Sequence, residues 1–436
     1  MASLLAQPLD TPEGTAPAPV TVTASELLGV VQQGTTLLFA NAETTDRTVA
    51  AGERVAAALG TRVTIFPRWD ALVAEVESDD GHRSQIARVA PVGIDMNKVL
   101  ESERVIEGLA ERRLTLREAR AEFTRIAALP PVSLGRFALA AVVGACGLAV
   151  VYGAVRPSTF PLIALSAGGG VLLRRALSRV SSNLLLQPFG AALLAGLIGG
   201  LAQRYDLGSP QRLIAVCPCM LLVPGPHFLN GLIDLARARV ALGCSRIAFA
   251  LLVMVAICGG LLLGLWLLGG DLPISPPTRS VPLALDLIAA GLAVSAYASF
   301  YSMPWRYLPV PIAIGVLAHA IRWFALTLGT SIHAAAFLAC LFVGLVATPI
   351  ASRLRLPFAA MSFAAVVSLM PGVFFFRMAG GLVQLSKLGA SADPGLTSAV
   401  LAEGATALLI LLSMGLGLVL PRLVVGRPGP GAGGLR

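Results

Sequence analysis

Two apolar stretches of the sequence are interrupted by the same dipeptide and then continue with polar side chains. CMLLVPGPHFLNGLIDLAR contains Pro224-Gly225, and SLMPGVFFFRMAGGLVQLSK contains Pro371-Gly372. Proline removes a backbone donor and glycine permits unusual dihedral angles, so each dipeptide predicts a helix that breaks and restarts. The N-terminus of a restarted helix favours an anion, because its N–H groups and its dipole point there. The chemistry that this pattern could perform is the binding of a carboxylate.

Polar side chains follow the two breaks at matching distances. Asn230 and Arg377 each lie five residues after the glycine of their stretch. We expect Asn230 to orient the polar groups of a bound solute and Arg377 to assist in holding its carboxylate. His227 is a third candidate for solute contact, although a histidine packed in the core is an equally good interpretation. Asp234 lies beside two arginines, where an ion pair competes with a proton-carrying role.

Four ionisable residues fall in the outer halves of later apolar stretches: Asp286, Arg322, Arg377 and Glu403. Charged groups inside a membrane are costly unless paired, and they are functional candidates by default. Two acids and two arginines could neutralise each other in structural pairs. The alternative is a vestibule for a charged or zwitterionic solute, in which Asp286 or Glu403 takes part in a proton-coupled step. His319 lies in the same stretch as Arg322 and can belong to this group.

The composition places these residues in an integral membrane protein. The chain has 436 residues, of which 56% are hydrophobic and 13% are charged, whereas average soluble domains carry about 25% charged residues. The charge is uneven, with a net of −5 over residues 1–130 and +14 over residues 131–436. The overall charge of +9 therefore reflects basic loops at a membrane surface rather than nucleic-acid binding.

The N-terminal quarter of the chain has a different pattern from the rest. Its amphipathic periodicities and short β-like runs predict a soluble α+β domain, and Pro130-Pro131 separates that domain from the apolar spans. The predicted organisation is a disordered tail at 1–21, a cytoplasmic α+β domain at 22–131, membrane halves at 132–270 and 281–422, and a disordered tail at 423–436.

Ten apolar stretches are long enough to cross a bilayer, because about 20 residues span its hydrocarbon core. The segment GGDLPISPPTRS divides them into five plus five, and the two Pro-Gly stretches are the fourth of each five. Five is odd, so the second half begins on the opposite side from the first, which predicts an inverted repeat. Interrupted helices at matching positions of two halves indicate a transporter site. The predicted spans are 134–154, 159–173, 183–203, 212–235, 246–269, 281–302, 307–328, 332–351, 357–386 and 397–420.

Basic residues set the predicted orientation of the spans. With the N-terminal domain inside the cell, twelve Lys and Arg fall in inner loops and the C-terminal tail, against five in outer loops. This bias predicts cytoplasmic N- and C-termini.

We expect no cofactor and no bound metal. The pair Cys217 and Cys219 lacks a partner pair and nearby His or acidic ligands. The chain also lacks a nucleotide-binding P-loop, a His/Glu metal motif and a Ser/His/Asp order. A membrane enzyme is therefore disfavoured, and ten spans exceed what the anchor of a sensor needs.

The order and spacing of three motifs resemble the threonine/serine exporter family of bacteria. These motifs are GTTLLFANAETTDRTVAAGERVAAALG in the N-terminal domain, LLVPG followed by NGLIDL, and SLMPG. Together they place the resemblance over roughly 22–420. By this resemblance Asp234 and the two Pro-Gly dipeptides occupy motif positions of the family. Pro226-His227-Phe228 is bulkier than the small polar residues expected after Pro-Gly.

The resemblance implies an inner-membrane secondary transporter that exports L-threonine or L-serine, driven by the proton gradient. Its partners would be the amino acid, protons and membrane lipid, and assembly with further copies of the chain stays open. Two-chain relatives of the family are linked to succinate, so a dicarboxylate exporter is the alternative.

Overall fold

The computed structural model describes residues 23–78, 81–154, 156–208, 211–273, 281–354 and 356–425. The predicted N-terminal tail lies outside these residues. The predicted C-terminal tail begins too early, because the last helix continues to Val425; its remainder, 426–436, also lies outside the described part.

The described chain begins with an α+β unit that precedes every long apolar helix. Its three strands form an antiparallel meander in the order β1-β2-β3, in which Ile65 pairs with Ala74 and Val73 with Ile86. Side chains of β1 alternate between buried and exposed, as expected for a strand with one face on a core. The elements are α1 (Ala24–Ala40), α2 (Thr45–Ala58), β1 (Val63–Pro67), β2 (Ala71–Ser78), β3 (Gly81–Arg88), α3 (Met96–Ala110) and α4 (Leu116–Ala127).

Local capping explains where three of these four helices start. Thr23 and Glu26 form a capping box at α1, and Thr115 and Glu118 form another at α4. At α3 the Asp95 carboxylate accepts hydrogen bonds from the first-turn N–H groups. Burial raises the pKa of Asp95 despite these bonds.

The second part of the chain is a bundle of long apolar helices, which makes this a polytopic helical membrane protein. Eight helices are long and apolar enough to cross a membrane, and two bent pairs raise the number to ten within the described residues. The helices are α5 (Leu134–Val151), α6 (Thr159–Val180), α7 (Leu186–Arg204), α8 (Gln211–Met220), α9 (Gly225–Ala236), α10 (Val240–Leu267), α11 (Leu283–Phe300), α12 (Pro309–Thr327), α13 (Ile332–Arg353), α14 (Phe358–Val366), α15 (Gly372–Leu388) and α16 (Pro394–Val425).

The second span is longer than the sequence predicted. The predicted end at residue 173 precedes two arginines, whereas α6 continues to Val180. Arginine is a good helix former and its long stem can extend from an apolar helix toward water, so two adjacent arginines do not end a helix.

Glycine lets two pairs of long helices approach each other closely. α7 packs along α10, and α13 packs along α16. A Cβ at Gly260 would lie 2.2 Å from the backbone oxygen of Phe189, and a Cβ at Gly417 would lie 2.8 Å from the backbone of Leu341. Small residues allow this backbone-to-backbone packing, which is common among membrane helices.

Candidate functional site

Both Pro-Gly dipeptides break their helices. The axes of α8 and α9 differ by 55° on either side of the first break, and the axis before the second break differs by 46° from that of α15. Pro224 and Pro371 are the N-cap residues of α9 and α15, with φ near −79° and −78°. A short 3-10 turn, Val367–Leu369, precedes the second break.

The two breaks have the same backbone hydrogen bonds. Pro371 follows Pro224 by 147 residues. The donors and acceptors of the hydrogen bonds at the second break follow those of the corresponding bonds at the first break by the same number of residues. Gly225 N–H donates to Val223 O at 2.8 Å, and Gly372 N–H donates to Met370 O at 2.9 Å. The N–H groups two and three residues after each glycine donate to the carbonyl of the proline before that glycine.

The two breaks also contact each other reciprocally. A Cβ at Gly225 would lie 2.6 Å from Val367 Cγ2, and a Cβ at Gly372 would lie 2.9 Å from Val223 Cγ2. Phe228 and Phe375, which share the offset of 147, stack with ring centroids 6.1 Å apart. The two breaks therefore contact each other through residues at equivalent positions of their segments.

The first-turn donors of α9 are already engaged inside its break. The N–H groups of Gly225, His227 and Phe228 donate to local carbonyls, and Pro226 has no N–H. The carboxylate site expected at these N-termini therefore lacks free donors at α9 in this conformation, and that site stays a prediction.

A cavity of about 700 Å³ lies between the N-terminal α+β unit and the helix bundle. It reaches the first break at Pro224 and His227, and its volume falls in the range of about 300–1,000 Å³ typical of small-molecule sites. Aliphatic residues and prolines form most of its wall, together with Phe137, Phe249, Phe300 and Tyr301, and polar groups interrupt them. The polar lining residues include Asp95, Ser133, Arg174, Arg175, Ser178, Gln187 and Ser302.

Arg174 and Arg175 are the cationic groups of this cavity, and neither is among the site residues that the sequence predicts. Arg174 follows the predicted end of its span, but it lies within α6 and is only partly exposed. Its Nε has no hydrogen-bond partner among the described residues, and its guanidinium lies 5.7 Å from the Phe137 ring. Ser166 and Gly170 precede it at helical spacing, and with it they line a narrow void of about 20 Å³. In the sequence, small and polar residues at this spacing indicate a helix face that lines a cavity.

His227 lies in the wall of the cavity at the start of α9. Its side chain is 3% exposed and contacts the Phe249 ring edge-on, with centroids 5.0 Å apart. Its Nδ1 has no hydrogen-bond partner in the described structure. The histidine is thus buried, yet it keeps a polar atom available beside the first break.

Asn230 does not lie in the cavity. Its amide Nδ2 donates to the backbone oxygen of Ala42 at 3.1 Å, so it joins α9 to the α1–α2 loop of the N-terminal unit. Ala42 has a positive φ of 71°, which turns the chain at this contact.

Asp234 belongs to the same interface. Thr45 donates to Asp234 Oδ2 at 3.1 Å, and Arg246 Nε lies 3.1 Å from the same oxygen. Arg239 lies 3.4 Å from the other oxygen and also pairs with Asp46 at 2.7 Å. Both Asp234 and Arg246 are fully buried. Asp234 therefore lies in a buried ion pair, and a proton-carrying role for it stays a prediction.

The remaining charged candidates lie on the other side of the breaks, in two separate groups. Arg377 pairs with Glu403 at 3.4 Å and lines a void of only about 10 Å³ with Tyr152 and Arg212. Asp286 contacts His319 instead, with Oδ2 and Nδ1 3.3 Å apart. No ion pair of Arg322 occurs within the described part of the chain.

The structure therefore groups most of the predicted site residues in four places. Pro224 and His227 lie at the cavity, and Gly225, Pro371 and Gly372 lie at the two breaks, which contact each other. Asn230 and Asp234 contact the N-terminal unit. Arg377 pairs with Glu403, and Asp286 contacts His319.

The described residues contain no group of three or more His, Cys, Asp or Glu that could hold a metal ion. Cys217 and Cys219 are buried and free.

Two family models match the chain. One is described as "Putative threonine/serine exporter" (ThrE) and matches residues 30–268. The other is described as "Threonine/Serine exporter, ThrE" and matches residues 286–424. No solved structure matches the chain.

Proposed function

Because the chain belongs to the threonine/serine exporter family, we propose that it exports L-threonine or L-serine across the inner membrane as a proton-driven secondary transporter. A transporter family makes a membrane enzyme the weaker interpretation. The observation that carries the proposal is the cavity of about 700 Å³ that reaches a broken helix at the centre of the bundle.

An inverted five-plus-five repeat would supply the alternating access that such export needs. Three observations support it. Residues at equivalent positions form the same backbone hydrogen bonds within each break, and the two breaks contact each other reciprocally. The third and fifth helices also pack together in both proposed halves. In transporters with inverted repeats, one half rocks against the other around a central site. The paired breaks are the natural place for that site.

The conformation described here fits the loading state of an exporter. The large cavity lies on the side of the N-terminal unit, whereas the void beyond the breaks at Arg377 measures only about 10 Å³. If the N-terminal unit is cytoplasmic, as the basic loops predict, the cavity is open to cytoplasmic solute and closed toward the outside. The exposed Arg175 and Arg179 lie at this face, where positive charge favours the cytoplasmic side.

Arg174 and His227 would recognise the amino acid. A guanidinium that lacks a hydrogen-bond partner at Nε can bind a carboxylate through charge-assisted hydrogen bonds. The unpaired Nδ1 of His227 can bond the substrate hydroxyl or ammonium beside the first break, depending on the tautomer. Phe137 and Phe249 would enclose the aliphatic part of the side chain.

The test is efflux from cells preloaded with threonine, serine or succinate, with and without the protein, before and after collapse of the proton gradient. Hydrogen bonds to charged groups contribute about 1.5–3 kcal/mol, so Arg174→Gln should lower threonine efflux on the order of 10- to 100-fold at subsaturating substrate. The matched control is Arg179→Gln, which removes an exposed arginine of the same helix and should keep efflux unchanged. Absence of threonine and serine efflux in the wild type contradicts the proposal.

A dicarboxylate is the second candidate substrate. Two arginines, Arg174 and Arg175, line the cavity, and a second cation favours a second carboxylate. Efflux of succinate without threonine or serine would establish this alternative. Arg322 and Arg377, the arginines among the predicted site residues, do not line the cavity.

A further inference from the structure

Three buried polar side chains from distant parts of the sequence form a chain beside the second break. His319 of α12 lies between Asp286 of α11 and Ser368 of the 3-10 turn that precedes Pro371. Its Nδ1 is 3.3 Å from Asp286 Oδ2, and its Nε2 is 2.9 Å from Ser368 Oγ. All three residues are at most 4% exposed.

We propose that Asp286, His319 and Ser368 form the proton-binding site that couples export to the proton gradient. This inference rests on the proposed function and adds to it the residues that carry the proton. Chains of Asp, Glu and His inside a membrane protein are a recognised route for protons.

The chemistry of the three groups allows one proton to be gained and lost. In the unprotonated state, the His319 Nδ1–H group donates a hydrogen bond to the Asp286 carboxylate. The Nε2 atom accepts a hydrogen bond from the Ser368 hydroxyl, and the three groups together carry one negative charge. A proton from the aqueous phase then binds Nε2, so that the imidazolium and the carboxylate neutralise each other. Ser368 must now accept a hydrogen bond rather than donate one. Loss of the proton to water on the other side restores the first state.

The other buried ion pairs of the bundle are less suited to this exchange. Asp234 pairs with Arg246, and Glu403 pairs with Arg377. Arginine stays protonated in proteins, so these acids can gain a proton only by abandoning their partner. Histidine is the side chain whose unperturbed pKa, about 6.5, lies nearest to physiological pH.

The position of Ser368 connects the proton to the transport movement. The neighbouring Val367 packs against Gly225 of the first break so closely that a Cβ added to this glycine would lie 2.6 Å from Val367 Cγ2. A change in the hydrogen bonds of Ser368 therefore acts one residue from the contact between the two breaks. Separation of the breaks is the step that would open the outer side.

Other charged and titratable groups around this site would modulate its proton affinity. Arg322 on α12 acts electrostatically on His319, and Tyr152 after α5 interacts with Asp286. The described part of α14, which packs on α11 and α12, has no titratable residue. The remaining titratable residues on the elements packed against α11 and α12 are Arg136 and Cys146 of α5, Tyr297 of α11, Arg306 and Tyr307 before α12, and His333, Cys340 and Arg353 of α13.

The experiment compares two modes of transport by the full chain in liposomes. One assay measures threonine accumulation driven by an imposed pH gradient, and the other measures threonine–threonine exchange without a gradient. We expect His319→Asn and Asp286→Asn to lose gradient-driven accumulation but to keep exchange, because exchange needs no net proton movement. His333→Asn is the control, since His333 is at the start of α13 and bonds only Ser331 among the described residues.

The outcomes separate this inference from the proposed function. Gradient-driven accumulation that persists in both variants overturns the proton site and leaves the exporter intact. A wild-type protein that moves neither threonine nor serine in either assay overturns both. If His319→Asn does not fold, Ser368→Ala keeps the Asp286–His319 pair, and it should shift the pH dependence of accumulation; an unchanged profile would count against the site.

Discussion

Replacing Asp234 by asparagine distinguishes a structural ion pair from a proton carrier. The Asp234 carboxylate is the main counter-charge of the Arg246 guanidinium. Arg246 is fully buried, and its Nη1 has no hydrogen bond in the described structure. Asparagine keeps the shape of the side chain and can still accept the Thr45 hydrogen bond, but it leaves the guanidinium without a counter-charge.

The expected cost follows from this burial. Breaking a buried ion pair by removing one partner costs about 3–5 kcal/mol, since the other charge stays buried. Because Asp234 also bonds Thr45, much of this cost should fall on the contact between α9 and the N-terminal unit. At about 1.4 kcal/mol per factor of ten, the equilibrium between docked and undocked states would shift on the order of 10²- to 10⁴-fold.

Hydrogen exchange of backbone amides in residues 38–48 measures this docking, together with the midpoint of thermal unfolding. Asp234→Asn should lose amide protection, and the double variant with Arg246→Met should regain most of it, because replacing both partners by uncharged groups is often neutral. Glu122→Gln is the control, since it breaks an exposed pair with Arg125 that is worth at most about 1 kcal/mol. A fully docked Asp234→Asn protein that has lost proton-driven transport would refute the structural interpretation.

Three further predictions concern packing and pH. Gly260→Ala should destabilise the bundle by about 1–3 kcal/mol, since its Cβ would meet the Phe189 backbone oxygen at 2.2 Å, whereas Gly259→Ala, with its nearest atom at 3.9 Å, should leave the unfolding midpoint unchanged. Gly225→Ala should lower transport, because its Cβ would push the two breaks apart at Val367. Adding Val367→Ala should restore transport in the efflux assay, and a double variant whose efflux stays as low as that of Gly225→Ala would argue against this contact. Burial raises the pKa of Glu43 in the N-terminal unit, so the folded state binds this proton more tightly and its stabilising effect is lost as pH rises through the folded-state pKa. Glu43→Gln should therefore flatten the fall in stability that we expect as pH rises from the unfolded-state pKa through the raised folded-state pKa; thermal unfolding over this pH range measures it, and an unaltered pH profile contradicts this explanation.

The long helices could be predicted from the sequence because their signals are local. Apolar runs of about 20 residues are required by the thickness of a bilayer, and the described helices follow those runs. Pro224-Gly225 and Pro371-Gly372 mark both breaks, since proline and glycine act on the backbone where they stand. Errors arose at the ends, where α6 passes through Arg174 and α16 reaches Val425, because good helix formers continue a helix beyond its apolar part.

The roles of individual polar residues could not be predicted in the same way. Asn230 and Arg377 occupy equivalent positions in the sequence, yet Asn230 bonds Ala42 of the N-terminal unit, whereas Arg377 pairs with Glu403 on the other side of the breaks. Equivalent spacing therefore did not bring the two residues into one place.

The sequence by itself determined that this is a membrane protein with two broken helices, since hydrophobic length and backbone restriction are properties of the chain segment alone. Only the tertiary structure decided which polar groups meet. His319 lies 33 residues from Asp286 and 49 from Ser368, and Asp234 lies 189 residues from Thr45. Such partners are selected by the packing of separate helices, because a buried charge or donor must find its counterpart in whichever segment the fold brings beside it.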